Sequence, residues 1–429
     1  MDFDRTYDVV VAGAGVAGVA AALECARAGL QVALVEKTVL LGGLATTGLI
    51  NIYLPLCDGH GHQAVFGIAE ELLHLSIKYG PGSIPNGWAP TVPPPQLSPG
   101  GGGRIGERRA PVQGPRYMTP FSPASFALAI DEALLNAGIA VWLDTLVAAP
   151  VMGVGTPRGV GTLWPGQRIV GLEVENKSGR GVLRAAVVID ATGDADVAYR
   201  AGAPCVESDN WLSLWAVETS LVCALQAAED PQNAKLLEMI HVGGDADGRN
   251  HPSDQPKYHG TDSDEVTRFV LEGRRLLREH YQASQAELGP DGRRQRFPVT
   301  LPAMAQFRTT RRIDGKETMT IDRPNTALST SVALVPDWRR PGPVWEVPYG
   351  ALIARGIQGL LAAGRCFSAE GEAWEVARVI PPAALTGQVA GVAATLAVRQ
   401  GTTPDAIEAA DVQRALRERG IPFHASDIM

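Results

Sequence analysis

The chain of 429 residues has few cysteines, five in all, and few aromatics, which make up 6% of it. Cys25, Cys57, Cys205, Cys223 and Cys366 are odd in number, scattered, and never arranged as CxxC. That spacing argues against a disulfide framework and against a metal site. Positive charge is not in surplus either, because 38 Lys and Arg face 46 Asp and Glu for a formal net charge of −8. No overall field attracts phosphate backbones or anionic lipids, so neither nucleic acid nor membrane is expected as a partner. The N-terminus, Met1 to Asp8, is polar and acidic and runs straight into a strand, which leaves no room for a secretory leader and gives a cytoplasmic expectation. Long apolar runs are scarce. The longest uncharged stretch, Val379 to Val398, contains Pro381, Pro382, Gly387, Gln388 and Gly391 and reads as a buried helix.

What the chain does have is glycine and proline, 48 and 31 residues, and 45% apolar residues, enough for a large core in two or three domains. Tyr7 to Ala12 reads as a buried strand, Val16 to Ala28 as an alanine-rich helix and Gln31 to Glu36 as a second strand, together a βαβ unit. Between strand and helix stands Gly13-Ala-Gly15-Val16-Ala17-Gly18. One glycine suits the tight turn, one the approach of backbone to a pyrophosphate, and one close helix–strand packing. Glu36, followed by Lys37, ends the second strand where an acid would accept hydrogen bonds from ribose hydroxyls. Gly101 to Gly106 matches the same glycine pattern but follows a proline run, and Gly153-Val-Gly155 is followed by Pro157, so neither is a second fingerprint.

Gly80 to Pro120 is dense in Pro and Gly and reads as a long surface excursion, a lid or a mobile insertion. A helix over Pro123 to Gly138 and a hairpin over Ile169 to Ile189 with its turn at Asn176 to Gly179 follow, then a more polar segment from 201 to 341. A terminal βα unit, Leu360 to Gly364 and Pro382 to Val398, closes the core.

Further motifs carry a family resemblance along the whole chain: Gly13 to Glu36, Gly42-Gly43-Leu44-Ala45-Thr-Thr-Gly48, Val187 to Asp194, Arg308 to Gly315, Gly364-Arg365, and Arg378 to Gly391. In this order they resemble the FAD-dependent oxidoreductases of the glutathione-reductase-like flavoprotein class, particularly a largely uncharacterised bacterial branch. The resemblance implies an α/β fold: a discontinuous Rossmann-like FAD-binding domain over 1–200 and 342–429, with an inserted α+β substrate domain over 201–341. It further implies that Ala191-Thr192-Gly193 passes close to FAD, that Gly364-Arg365 approaches the pyrophosphate and ribitol, and that the amides around Pro382-Ala383-Ala384-Leu385-Thr386 face the flavin pyrimidine. A helix N-terminus there would stabilise the negative charge of reduced flavin.

The expected activity is hydride exchange between flavin N5 and a small organic substrate, with an electron donor or acceptor of unknown identity. Arg378, just before the flavin-facing helix, is the first choice for a substrate anchor. Arg308, Arg311 and Arg312 lie in a strand-like run whose alternation puts Arg308 and Arg312 on one face and Arg311 on the other. Arg311 is a site candidate or a paired structural residue. Glu372 or Glu375 is a general base if desolvated, and otherwise part of a solvated acidic loop. Cys57-Asp-Gly-His60-Gly-His62 raises a metal site or covalent flavin attachment, against a plain pocket wall. Two other readings stand beside the leading one: an NAD-dependent dehydrogenase using only the βαβ unit, and a flavin-binding partner subunit without catalysis.

Overall fold

The computed structural model describes residues 3–80, 118–154, 167–230 and 237–429. The 81–117 part of the expected excursion therefore lies outside the described residues, while Thr119–Pro120 pairs with Ile52–Tyr53.

Strand β1 (Phe3–Ala12) feeds helix α1 (Val16–Arg27), which returns as β2 (Val32–Val35). Helix α2 (Ile68–Ser76) and helix α3 (Pro123–Asn136) follow, then β3 (Ala140–Trp142), β4 (Leu146–Val154), β5 (Gln167–Asn176) and β6 (Gly179–Asp190). Val9 to Ala12 are wholly buried, because β1 lies between parallel partners β2 and β6 with packed layers above and below. This is why the strand reads as an unbroken apolar run. The β5–β6 hairpin turns at Asn176 and Gly179, where the Asn176 side chain accepts from the Ser178 N–H at 2.9 Å.

Within 201–341 the chain leaves the large sheet. Strand β7 (Cys205–Glu207) is followed by β8 (Ser213–Ser220), β9 (Glu238–Gly243), helix α4 (Ser263–Glu287), β10 (Arg296–Thr300), β11 (Arg311–Ile313) and β12 (Ser331–Pro336). A three-stranded antiparallel sheet runs β9-β8-β10, and α4 closes its small core with Leu277 and Tyr281 against Leu214, Ala216 and Ile240. Strand β11 pairs with β7.

The return begins with β13 (Val344–Pro348), hairpin partner of β12, then β14 (Ile357–Gln358) and β15 (Leu360–Ala362), helix α5 (Glu372–Ala377), helix α6 (Ile380–Arg399) and helix α7 (Ala409–Glu418). The eight-stranded sheet runs β14-β5-β6-β1-β2-β3, with β15 parallel to β6 and β4 antiparallel to β5. The N-terminal, middle and C-terminal parts of the chain thus share one sheet. Helix α6 is long and apolar enough to cross a membrane, yet 94% of its most apolar window is buried inside the protein.

The crossing of α1 and α6 needs glycine. A Cβ on Gly387 would stand 2.1 Å from the Ala17 carbonyl oxygen, and one on Gly391 2.8 Å from that of Ala21. The two helices therefore meet backbone to backbone, which sets the start of α6 beside the glycine turn of α1.

Candidate functional site

The glycine turn has three distinct local requirements. Gly13 sits at φ +91°, and a Cβ there would meet the Ala191 carbonyl at 2.5 Å. A Cβ on Gly18 would lie 1.9 Å from the Gly13 oxygen, so this glycine allows α1 to close on its own turn. Gly15 is different: nothing stands within 4 Å of its absent Cβ, and its φ of −65° suits any residue. Its bareness faces open space, which is the cradle that a pyrophosphate requires at the α1 N-terminus. The Gly42-Gly43 turn lies alongside, with the Gly42 N–H donating to the Ala14 carbonyl at 2.8 Å, and Leu44 and Ala45 form the short helical turn after it. Glu36 is buried, its two oxygens accepting from the Ala14 and Thr38 N–H groups at 2.9 Å each. Lys37 beside it is exposed.

The third wall comes from the end of β6. The Asp190 carboxylate accepts from the Thr192 hydroxyl at 2.7 Å and from the Ala198 N–H at 2.9 Å, which fixes the Ala191–Gly193 turn against Gly13. Arg365 braces that turn with its whole guanidinium: Nε donates to the Gly193 carbonyl at 2.8 Å, Nη2 to Asp194 at 2.7 Å and Nη1 to the Phe307 carbonyl. The Arg365 side chain is thus committed to the protein. The backbone of Gly364, at φ +71° against Ala17, is the part left to approach, and its N–H is held by the Thr386 hydroxyl at 3.1 Å.

The start of α6 corrects the expected amide donors. The Ala383 N–H already closes on the Val379 carbonyl at 3.0 Å, and those of Ala384, Leu385 and Thr386 fall inside the helix ladder. Of the three first-turn positions without an intrahelical acceptor, Pro381 and Pro382 have no N–H, which leaves Ile380 as the free donor.

Arg378 follows α5 and forks onto Glu375, Nε at 3.0 Å and Nη2 at 2.7 Å from one carboxylate oxygen. Burial alone would raise the Glu375 carboxyl, but the charge and hydrogen bonds of Arg378, with Arg308 and Arg339 behind them, outweigh it and hold the group below the usual carboxylate range. Glu372 lies on the exposed side of α5, paired with Arg339 at 3.1 Å, so the desolvation that a general base needs is missing. Arg311 is buried, stacked over Tyr199 and paired with Asp196 at 2.7 Å, the arrangement of a structural ion pair. The expected strand through Gln306–Ile313 is only three residues long, because the Asn210 side chain takes the N–H groups of Arg308 and Thr309 and turns the chain. Arg312 does leave β11 opposite Arg311, reaching the Ser368 hydroxyl at 3.3 Å.

A cluster absent from the candidates drawn from the sequence lies where β8 and β9 approach the Gly42–Gly48 loop. Gln306 ties them: its side-chain amide donates to the Gly48 carbonyl at 2.5 Å, and its oxygen accepts from the Trp215 N–H at 2.7 Å. The Trp215 indole stacks on the His241 ring, centroids 4.4 Å apart and planes at 27°. Burial, reinforced by the Arg308 charge, pulls His241 down to about 4, so the ring is neutral at neutral pH. Arg308 in turn feels Arg378 and Glu375 from α5. His241 carried no sequence signal, since a lone histidine in a strand is unremarked until its neighbours are known.

In the Cys57–His62 loop, Asp58 accepts from the His60 N–H at 2.7 Å and meets His62 Nδ1 at 2.8 Å, an ordering of the loop by one carboxylate. Among the described residues no group of three or more His, Cys, Asp or Glu gathers to hold a metal. A separate cavity of about 400 Å³ beside β13 is lined by Glu317, Thr320, Asp322 and Glu346, away from the glycine turn.

A model of FAD dependent oxidoreductases matches residues 8–232 and 223–416 of the chain. Over 73 residues, 17% of the chain, it is 38% identical to thioredoxin reductase of Ureaplasma parvum serovar 3 and spans 24% of that protein's length. Among solved structures it is similar to a geranylgeranyl bacteriochlorophyll reductase-like protein from Thermoplasma acidophilum, 14% identical over 97% of this chain and 84% of that one with a TM-score of 0.47. It is also similar to p-nitrophenol 4-monooxygenase from Pseudomonas putida DLL-E4, 13% identical over 99% and 88% of the two chains with a TM-score of 0.41.

Proposed function

The chain belongs to the FAD-dependent oxidoreductase family, and from that premise we propose that it oxidises or reduces a small organic molecule by hydride transfer in the crevice between the glycine turn and the start of α6. The observation that carries this reading is the meeting at one crevice of the bare Gly15 turn, the buried Glu36 and the N-terminus of α6. When bound, FAD supplies the centre that accepts or delivers the hydride. The chain supplies the rest. The α1 N-terminus at Gly15 to Gly18 holds the pyrophosphate, and Glu36 accepts hydrogen bonds from ribose hydroxyls. The Ile380 N–H and the positive end of α6 would stabilise the negative charge of reduced flavin. Arg378, kept in place by Glu375, stands at the substrate side of that helix start and orients the substrate.

The test is an anaerobic screen in which the FAD-loaded protein is mixed with alcohols, hydroxy acids, amines and amino acids while flavin absorbance is followed. Bleaching by one of these classes, slowed at least about tenfold in Arg378→Ala at equal flavin content, is the expected result. Bleaching by none contradicts hydride transfer from this range of donors. Parallel loss of bleaching and of flavin in Arg378→Ala makes that arginine a structural residue.

A further inference from the structure

We propose that Arg308 and His241 form an anion subsite, so that the substrate of the reaction proposed above carries a carboxylate, seated beside the Trp215 indole. The inference rests on that reading for its flavin and deepens it for the substrate.

The interior arginines of this protein are mostly met by an acid or a carbonyl. Arg311 has Asp196, Arg365 has Asp194, Arg378 has Glu375 and Arg296 has Glu218. Arg308 has none of these. Its Nη1 is closed off from solvent and without a hydrogen-bond partner, and among the described residues its guanidinium enters no ion pair. Its backbone is fixed, the N–H donating to Asn210 Oδ1 at 2.9 Å. A guanidinium largely withdrawn from water with no acid in hydrogen-bond reach is costly, although the charges of Glu375, Asp245 and Asp247 offset part of that cost, and such a group persists where a ligand completes it.

His241 carries the second orphan. Its Nε2 is closed off from solvent and makes no hydrogen bond, while the ring is held flat on Trp215 and touches the Gly244 backbone. The two orphans are coupled, since the Arg308 charge acts on the His241 ring. The framework beneath them is rigid: Trp215 is gripped through Gln306, which in turn holds the Gly48 carbonyl of the loop beside the glycine turn. Next to Arg308 the Phe307 carbonyl accepts from Arg365, whose own carbonyl accepts from the Trp374 indole N–H of α5, and Arg308 feels the charges of Arg378 and Glu375 there. The orphans therefore lie between the small sheet of β8 and β9 and the helix start assigned to the flavin.

The charge pattern selects the ligand. A guanidinium fork plus one neutral imidazole matches the two oxygens of a carboxylate. Arg378 is already matched by Glu375, so among the described residues Arg308 is the cation beside His241 with no acid in hydrogen-bond reach, which suits a monoanion better than a phosphate dianion. The aromatic ring of Trp215 alongside favours a carboxylate borne on a flat or apolar body.

The probe pair is benzoate and benzamide, equal in shape and different in charge, titrated into the FAD-loaded protein while the flavin difference spectrum is read. Saturable perturbation by benzoate and none by benzamide at the same concentrations is expected. Arg308→Met should weaken benzoate at least tenfold, Arg308→Lys should restore part of the loss, and His241→Phe should weaken it severalfold. Because Arg308 has no protein partner to lose, Arg308→Met should keep its flavin and its melting temperature. Equal effects of the two probes, no perturbation by benzoate, an unchanged benzoate affinity in Arg308→Met, or unfolding of that variant would each overturn the subsite. Failure of the probes in a protein whose flavin is still bleached by a donor sinks only the subsite. A flavin that no donor bleaches while benzoate still binds sinks only the hydride reading.

Discussion

Individual residues of this site are explained by what surrounds them more than by what they are. Gly15 is conspicuous because nothing fills the space of its missing Cβ, and its backbone would accept alanine without strain. Gly15→Ala should therefore leave the unfolding free energy within about 0.5 kcal/mol of the parent while weakening FAD binding at least about tenfold. Flavin fluorescence titration checks it, and an unchanged affinity would remove the pyrophosphate from Gly15. His241 gives a pH prediction. Its folded-state value of about 4 lies below the ordinary 6.5, so the unfolded chain binds this proton first as pH falls. Stability carried by the neutral ring is complete above pH 6.5 and is lost as pH falls towards 4, on the order of 2 kcal/mol for a ring that is not fully buried. Denaturant unfolding at pH 7 and pH 4.5 should show His241→Gln losing less stability than the parent across that interval. An equal loss would place the ring in contact with water. The glycines of the turn were legible in the sequence because they recur in a fixed pattern between a strand and a helix, even though Gly13 packs against the distant Ala191. Arg308 was legible only as one of three arginines in a run, and His241 not at all, because lacking a partner is a property of the folded neighbourhood.

At the scale of elements, strand β1, helix α1 and the β5–β6 hairpin follow from local pattern: a buried apolar run, an alanine-rich face, an asparagine-led turn. Two readings fell short for reasons of geometry. The Gln306–Ile313 run alternates like a strand, but Asn210 captures two successive N–H groups and leaves only β11. The start of α6 looks like a row of donors from Ala383 on, yet the helix ladder takes those amides and the two prolines remove the rest of the turn but Ile380. The contact of α6 with α1 also sets a prediction. In an isolated helix Gly387→Ala would gain about 1 kcal/mol. Here its Cβ would stand 2.1 Å from the Ala17 carbonyl, so a net destabilisation of about 2 kcal/mol or more is expected, with flavin lost in parallel as the helix start shifts. Denaturant unfolding and the flavin-to-protein ratio of this variant check both; a stabilised variant would contradict the close crossing.

For the molecule as a whole, one sheet is assembled from three stretches of chain. The strand before the glycine turn, the hairpin ending at Asp190 and the short β15 after residue 341 stand side by side, bringing Gly13, Gly193 and Gly364 to one end. No local pattern predicts such a meeting; the order of motifs along the chain does, through the family that shares it. Substrate identity does not follow from that order, because the proposed subsite draws on the small sheet of β8 to β10, which lies outside those motifs. FAD seated in this crevice, and reduced and reoxidised there, is checked by the visible absorption spectrum of the purified chain during anaerobic photoreduction and subsequent admission of an electron acceptor. Flavin bands that bleach and return, and that are depleted in Gly15→Ala, are the predicted result. A colourless chain that takes up no added FAD, or bands that persist unchanged in Gly15→Ala, would contradict it.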